Sequence, residues 1–131
     1  MIDCKTHILI FDDEELVGNI VCKMLEHFGY ATTHAMTCSD AFNKYQEQLK
    51  TPNAFIAVLA DLNVPGGDGG RQLASQILQI DPSAQIFATS GNTLEDAMQN
   101  PQDFGFIDKV TKPITLDVIK AFLSKLKKGA D

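Results

Sequence analysis

Apolar and polar residues follow two different periods along this chain. Short runs of consecutive apolar residues, as at positions 7–11 and 55–60, are typical of strands that are buried on both faces. Apolar residues spaced three and four positions apart, as between 14 and 28, are typical of helices with one buried face. The two patterns alternate, and they predict strands at 7–11, 30–34, 55–60, 84–89 and 106–110.

Glycine, proline and threonine residues mark the ends of the predicted helices. Gly29 ends the first helix, and Pro82 ends the third. Thr37, Thr93 and Thr115 are predicted to cap the second, fourth and fifth helices, because a hydroxyl can accept a bond from a free backbone N–H. The predicted helices therefore span about 14–28, 37–49, 70–80, 93–100 and 115–126.

The apolar faces of these helices predict how the chain is layered. In the first helix the face consists of Val17, Ile20, Val21, Met24, Leu25 and Phe28. In the last helix it consists of Leu116, Ile119, Phe122, Leu123 and Leu126. Five strand–helix units imply an α/β fold, in which a doubly wound parallel sheet carries helices on both faces. We expect residues 1–131 to form a single domain.

Composition and charge narrow the functional classes. The 131 residues are 44% hydrophobic and 21% charged, which is typical of a soluble globular domain. The net charge of −6 argues against nucleic-acid binding, and no apolar stretch is long enough to span a membrane. The three cysteines lack metal-ligand spacing and no signal peptide is visible, so we expect a cytoplasmic protein.

Charged side chains follow three of the predicted strands. Asp12 and Asp13 follow the first strand, Asp61 follows the third, and Lys112 follows the fifth. Open parallel sheets bind ligands at these carboxyl ends. Carboxylates about 4 Å apart repel by roughly 4 kcal/mol per pair at an effective dielectric constant near 20. A helix N-terminus offsets only about 0.3–1 kcal/mol of this, so we predict a bound Mg²⁺ or Mn²⁺.

A phosphoryl group on Asp61 would need both this cation and Lys112 to balance its charge. Three carboxylates, one lysine and one divalent cation sum to about zero charge, and a phosphoryl dianion would replace the charge of Asp61. This is the charge pattern of an aspartyl-phosphate site.

Four short motifs in this order resemble the receiver domain of two-component response regulators. They are Phe-Asp-Asp-Glu at 11–14, Asp-Leu-Asn-Val-Pro-Gly-Gly-Asp-Gly at 61–69, Thr-Ser-Gly at 89–91 and Lys-Pro at 112–113. The resemblance covers about residues 7–127, and the stretches 64–67 and 90–92 look most like receivers carried by hybrid sensor histidine kinases. It implies a flavodoxin-like (βα)5 fold with strand order 2-1-3-4-5.

The resemblance implies roles for the residues at the strand ends. Asp61 corresponds to the phosphoacceptor, and Ser90 to the hydroxyl residue that contacts the phosphoryl group. Lys112 corresponds to the lysine that pairs with that group, and its bond to Pro113 is usually cis in the family. The implied catalytic set is therefore Asp61, Ser90 and Lys112.

The resemblance also implies a metal site and a partner. Asp12, Asp13, Asp61 and the backbone carbonyl of Asn63 would hold Mg²⁺ or Mn²⁺. The implied function is a signalling phosphoacceptor, which receives its phosphoryl group from a histidine kinase or histidine phosphotransfer protein in a phosphorelay. It would catalyse only its own phosphorylation and dephosphorylation. We expect no contact with nucleic acid or membrane, and a monomer or weak dimer.

One position departs from the family pattern. Lys109 stands three residues before Lys112, where well-studied receivers carry a Tyr or Phe that swings inward on activation; Phe106 lies three residues too early. An ammonium cannot be buried cheaply. We therefore predict that Lys109 stays solvated in both states and that the activation signal travels through Ser90 and residues 91–95.

Other functional classes fit these residues less well. An aspartyl phosphatase similar to the haloacid dehalogenase group needs a second acid two residues after the nucleophile, where this chain has Asn63. A flavodoxin-like flavin-binding module needs a Ser-, Thr- and Gly-rich first loop, but residues 12–15 are all acidic. A receiver that acts only as a scaffold remains open. The glycines at 66–70 lack the spacing of a phosphate-binding loop and predict a turn.

Overall fold

Strands and helices alternate along the whole described part of the chain. The structure, a computed structural model, describes residues 7–64 and 69–126. Its strands are β1 (His7–Phe11), β2 (Ala31–Ala35), β3 (Phe55–Asp61), β4 (Ile86–Ser90) and β5 (Asp108–Thr111). Its helices are α1 (Glu15–His27), α2 (Cys38–Gln48), α3 (Gly70–Ile80), α4 (Asp96–Gln99) and α5 (Leu116–Ser124), with a 3-10 helix at Pro101–Phe104.

The five strands form one parallel sheet in the order β2-β1-β3-β4-β5. This confirms the predicted doubly wound α/β fold and the strand order that the family resemblance implied. The chain moves outward in one direction from β1 to β2 and in the other from β3 to β5. The carboxyl ends of β1 and β3 therefore flank the position where open sheets of this kind bind their ligands.

Apolar side chains of the helices cover both faces of the sheet. On one face, Val21 and Leu25 of α1 pack in the same cluster as Ile119 and Phe122 of α5. On the other face, the second cluster includes Ala41, Tyr45, Leu73, Ile77 and Met98 from α2, α3 and α4. Burying one large apolar side chain contributes about 1.5–3 kcal/mol. These two clusters therefore hold the strand ends in fixed positions.

Threonine caps begin two of the helices as predicted, but not the third. The Thr37 hydroxyl accepts the Asp40 N–H at the start of α2, and the Thr115 hydroxyl accepts the Val118 N–H at the start of α5. Thr93 does not cap α4, so the predicted Thr93 cap is wrong. Glu95 immediately precedes that helix, without a side-chain cap bond. Only four residues of α4 precede the turn that leads into the 3-10 helix.

The starts of three strands and the burial of two residues differ from the sequence prediction. Strand β2 starts one residue late, and β4 and β5 each start two residues late. For β5 the cause is local, because Gly105 ends the 3-10 helix at φ 89° and the Phe106 N–H still bonds to the Pro101 carbonyl. Ile20 and Leu116 were predicted to be buried but are 52% and 47% exposed. Ile20 lies at the margin of the buried stripe of α1, and Leu116 is the first residue of α5.

Candidate functional site

The carboxyl ends of four strands meet at one edge of the sheet. Asp12 directly follows β1, Asp61 ends β3, Ser90 ends β4 and Lys112 directly follows β5. The sheet order places these four ends side by side. The structure therefore brings together the four side chains that the sequence singled out on separate strands.

Three carboxylates form a tight cluster at this edge. One oxygen each from Asp12, Asp13 and Asp61 lie within 4.8 Å of one another. Asp12 and Asp61 are buried, at 4% and 2% exposed, while Asp13 is half-buried. The backbone N–H of Glu14 donates to Asp12 Oδ1 at 2.9 Å and fixes that carboxylate at the start of α1. The cluster offers only oxygen ligands, which suit a hard divalent cation.

Lys112 reaches two of the three carboxylates. Its Nζ lies 3.0 Å from Asp12 Oδ2 and 3.5 Å from Asp61 Oδ2. Burial disfavours its ammonium, but the hydrogen bond that it donates to Asp12 and the charges of both acids outweigh burial and raise the pKa of Lys112. Lys112 is therefore protonated at neutral pH. It balances one of the three carboxylates, which leaves a net negative site.

The buried position of Asp61 raises the pKa of its carboxyl group. The pKa of Asp61 is raised from 3.8 to about 6, chiefly by burial and to a smaller extent by the Asp12 charge. The Asn63 N–H, which donates to Asp61 Oδ1 at 3.0 Å, and the Lys112 charge act in the opposite direction. Asp61 is therefore mostly ionised at neutral pH and remains a candidate nucleophile.

Ser90 and Asn63 are joined to each other and to Glu95. The Asn63 Nδ2 donates to Ser90 Oγ at 2.7 Å and to Glu95 Oε2 at 3.0 Å. The Ser90 hydroxyl donates to the same Glu95 oxygen at 2.7 Å. The sequence indicated a signalling role for residues 91–95 as a whole, but not this role of the Glu95 side chain. No periodic pattern in an irregular loop could have indicated it.

The start of α3 approaches the backbone of Asp61 very closely. A Cβ on Gly70 would lie 2.9 Å from the carbonyl oxygens of Ala60 and Asp61, and a Cβ on Gly69 would lie 2.7 Å from that of Leu62. Real side chains do not tolerate such contacts, so both positions need glycine for this close approach. Of the turn predicted at 66–70, positions 66–68 lie outside the described residues.

Comparison with known proteins identifies the family. The chain matches the response regulator receiver domain over residues 8–124. It belongs to this receiver family.

Relatives with similar sequences include sensor histidine kinases, as the stretches at 64–67 and 90–92 predicted. The sensor histidine kinase RcsC of Salmonella typhimurium is 31% identical over 117 residues, which cover 89% of this chain and 12% of RcsC. Hybrid signal transduction histidine kinase L of Dictyostelium discoideum is 26% identical over 129 residues, which cover 95% of this chain and 7% of that kinase. The chain thus spans only a small fraction of the length of these relatives.

Solved structures share the fold. The chemotaxis protein CheY4 of Vibrio cholerae superposes with a TM-score of 0.82 at 18% identity, over 94% of this chain and 99% of CheY4. The receiver domain of the sensor histidine kinase PA1611 of Pseudomonas aeruginosa gives 0.79 at 22% identity, over 93% of this chain and 97% of that domain. That structure contains a magnesium ion coordinated in its active-site cleft.

A histidine that the sequence analysis left without a site role supports the Asp12 backbone of this receiver. His34 Nε2 lies 2.8 Å from the Asp12 carbonyl oxygen, and because a carbonyl only accepts, this nitrogen carries the proton. A Cβ on Gly18 would lie 2.1 Å from the same ring. The missing side chain at position 18 therefore makes room for a ring that holds the loop of Asp12.

An apolar groove lies beside the site on the α1 side. It has a volume of about 240 Å³ and is lined by Val17, Ile20, Val21, Lys112, Pro113 and Ile114. The Lys112–Pro113 bond is cis, as the family resemblance implied. Leu16 and Ile20 of α1 are 76% and 52% exposed. This apolar surface therefore adjoins the only lysine that contacts the acid cluster within the described residues.

Lys109 lies on β5 and is exposed. The position that carries an aromatic switch in well-studied receivers is thus solvated in this state, in agreement with the sequence argument. That it stays solvated after phosphorylation remains a prediction. Of the helices in the described part of the receiver, none is long and apolar enough to cross a membrane.

Proposed function

We propose that this receiver accepts a phosphoryl group on Asp61 from a phosphohistidine of a histidine kinase or histidine phosphotransfer protein. The observation that carries the proposal is the arrangement around Asp61. A buried carboxylate lies at a strand end, with two further acids within 4.8 Å and the Lys112 ammonium at 3.5 Å. A structural ion pair would need one acid for one lysine. Among the described residues, three clustered acids share one lysine, which contacts two of them, and this excess of negative charge suits a site that binds a metal and a phosphoryl group.

The residues present fit a Mg²⁺ or Mn²⁺ ion. Asp12, Asp13 and Asp61 would hold it with their carboxylates, and Asn63 with its backbone carbonyl. The two charges of the cation would cancel the repulsion that one lysine leaves unbalanced. When bound, it would neutralise charge on the oxygens of the transferred phosphoryl group. The magnesium ion in the cleft of the PA1611 receiver supports this choice.

The chain's own residues supply the nucleophile and the charge for transfer. An oxygen of ionised Asp61 forms a bond to phosphorus while the nitrogen–phosphorus bond of the partner breaks, and the electron pair stays on the imidazole nitrogen. Lys112 pairs with the phosphoryl oxygens, and the Ser90 hydroxyl donates to one of them. Hydrolysis later returns Asp61 to a carboxylate and releases inorganic phosphate, so the chain turns over no substrate but its own acyl phosphate.

The apolar groove next to Lys112 supports an approach of the partner from the α1 side. Ile20 lines this groove and is exposed, and Leu16 on the same helix is exposed as well, so a partner helix could bury apolar surface of α1. We also propose that the domain works in the cytoplasm, since its three cysteines are an odd number without metal-ligand spacing, which fits a reducing compartment. The negative net charge of −6 supports a role without nucleic acid. We propose a monomer or weak dimer.

Transfer from a labelled partner tests the proposal. A histidine phosphotransfer protein carrying ³²P on its histidine is mixed with the chain, with Mg²⁺ or with chelator. We expect label to move to the chain only with Mg²⁺, and to be released by hydroxylamine as an acyl phosphate would be. Label that resists hydroxylamine would place the phosphoryl group on another type of residue and overturn the proposal.

A further inference from the structure

The hydrogen-bonding capacity of Ser90 is already filled. A serine hydroxyl has one proton to donate and two lone pairs that accept. The proton of Ser90 goes to Glu95 Oε2 at 2.7 Å, and its oxygen accepts from Asn63 Nδ2 at 2.7 Å and from the Asn92 N–H at 2.9 Å. Ser90 is 0% exposed, so water has no access to it. Ser90 cannot donate to a phosphoryl oxygen without first releasing Glu95.

We propose that Glu95 is a positioning residue that occupies the Ser90 hydroxyl and the Asn63 amide until a phosphoryl group on Asp61 displaces it. The inference rests on the proposed function, because it needs Asp61 as the acceptor. Glu95 acts through Ser90 and Asn63, and the Asn63 backbone N–H also bonds to Asp61.

Charge favours the phosphoryl group over the Glu95 carboxylate in the competition for the Ser90 proton. Glu95 and a phosphorylated Asp61 are both anions that need the same donors, and one hydroxyl proton cannot serve two acceptors. The phosphoryl group brings more charge than a carboxylate, and Lys112 lies on its side of the site. After phosphorylation the Ser90 hydroxyl should therefore donate to a phosphoryl oxygen, and the Glu95 side chain should move away from Ser90.

The position of Glu95 in the chain carries this change to α4. Glu95 directly precedes α4, and its carbonyl accepts the N–H groups of Met98 and Gln99, both at 3.0 Å. Ala97 and Met98 are buried and anchor the helix. A side chain released from Ser90 therefore loosens the connection between the end of β4 and a helix whose core contacts stay in place.

Binding of beryllofluoride in the presence of Mg²⁺, a phosphoryl mimic, measures the competition directly. The variants are Glu95→Ala, Glu95→Gln, and Asp96→Asn as a control that removes the neighbouring exposed acid. Glu95→Ala should tighten beryllofluoride binding about tenfold, which corresponds to about 1.4 kcal/mol and to one charge-assisted hydrogen bond. Glu95→Gln should lie between wild type and Glu95→Ala, because the amide still accepts a bond but carries no charge. Asp96→Asn should stay within about twofold of wild type.

A double-mutant cycle separates positioning from simple charge removal. If Glu95 acts through Ser90, the gain from Glu95→Ala should shrink to about threefold or less in a Ser90→Ala background. An undiminished gain there would show that the Glu95 charge acts at a distance, and would overturn the proposal. Unchanged or weaker beryllofluoride binding by Glu95→Ala in the wild-type background would overturn it as well.

A second measurement keeps this inference separate from the proposed function. In the free protein, the side-chain amide signals of Asn63 in an NMR spectrum should shift in Glu95→Ala and not in Asp96→Asn. If these signals do not shift, the positioning contact is absent and the inference fails, whatever the protein binds. If the signals shift but wild type binds neither beryllofluoride nor a phosphoryl group, the proposed function is wrong. The displacement of Glu95 is then wrong too, but the contacts of Glu95 with Ser90 and Asn63 are confirmed.

Discussion

Replacing Asp61 with Asn should stabilise the metal-free protein at neutral pH. Burial raises the pKa of Asp61 from 3.8 to about 6, so the fold holds an ionised carboxylate at a cost. A shift of about 2 units at 1.36 kcal/mol per unit amounts to about 3 kcal/mol. Asn keeps the shape but gives up the contact with Lys112, so we expect a gain of about 1–3 kcal/mol in unfolding free energy at pH 7.5.

The dependence of this gain on pH follows from the direction of the shift. The folded carboxyl has the higher pKa, so the folded state keeps its proton to higher pH than the unfolded state does. The stability that this carboxyl contributes is full below about pH 4, where both states are protonated, and is lost as pH rises through about 6. The difference between Asp61→Asn and wild type should therefore grow from pH 4 to 7 and then level off.

Urea unfolding in chelator at pH 4.5 and pH 7.5 measures this difference. Asp117→Asn, an exposed acid in the first turn of α5, is the matched control and should show little change at either pH. Added Mg²⁺ should then stabilise wild type more than Asp61→Asn, because ligand binding to the folded state adds stability. An Asp61→Asn protein that is less stable than wild type in chelator at pH 7.5, or a difference independent of pH, would refute the reasoning.

Three further substitutions test the site and its surroundings. Asp13→Ala should weaken Mg²⁺ binding and raise stability in chelator, because it removes one of three repelling carboxylates; an unchanged Mg²⁺ affinity by calorimetry would contradict this. Gly18→Ala should destabilise the fold by about 1–3 kcal/mol, since the new Cβ meets the His34 ring, and an unchanged melting temperature would count against it. Ile20→Glu should slow transfer from a histidine phosphotransfer protein at least about tenfold and leave labelling by acetyl phosphate unchanged; equal slowing of both would argue against a docking role for the groove.

Much of the fold was predictable because each element carries its own local pattern. The apolar run that ends at Asp61 is buried along most of its length, as a central strand of a parallel sheet must be. Lys112 and the acids were identifiable because a place at a strand end can be deduced from the sequence nearby. Once neighbouring strands are parallel, their carboxyl ends lie at the same edge of the sheet, so no further sequence motif is needed to bring these residues together.

Contacts that depend on how strands and loops are placed in the folded structure could not be predicted from the sequence. The bond from His34 to the Asp12 carbonyl, and the contact of the His34 ring with Gly18, exist only because β1 and β2 pair in one register. The bonds between Glu95 and Ser90 cross an irregular loop, where no period relates one side chain to another. The exposure of Ile20 likewise depends on how α1 lies across the sheet, which its apolar spacing alone does not determine.

The central claim is that Asp61 accepts one phosphoryl group. Intact-mass spectrometry after incubation with acetyl phosphate and Mg²⁺ tests it most directly, with Asp61→Asn and Asp117→Asn treated in parallel. We expect the added mass of one phosphoryl group on wild type and on Asp117→Asn, and none on Asp61→Asn or in chelator. A folded Asp61→Asn protein that gains a phosphoryl group as readily as wild type would contradict it.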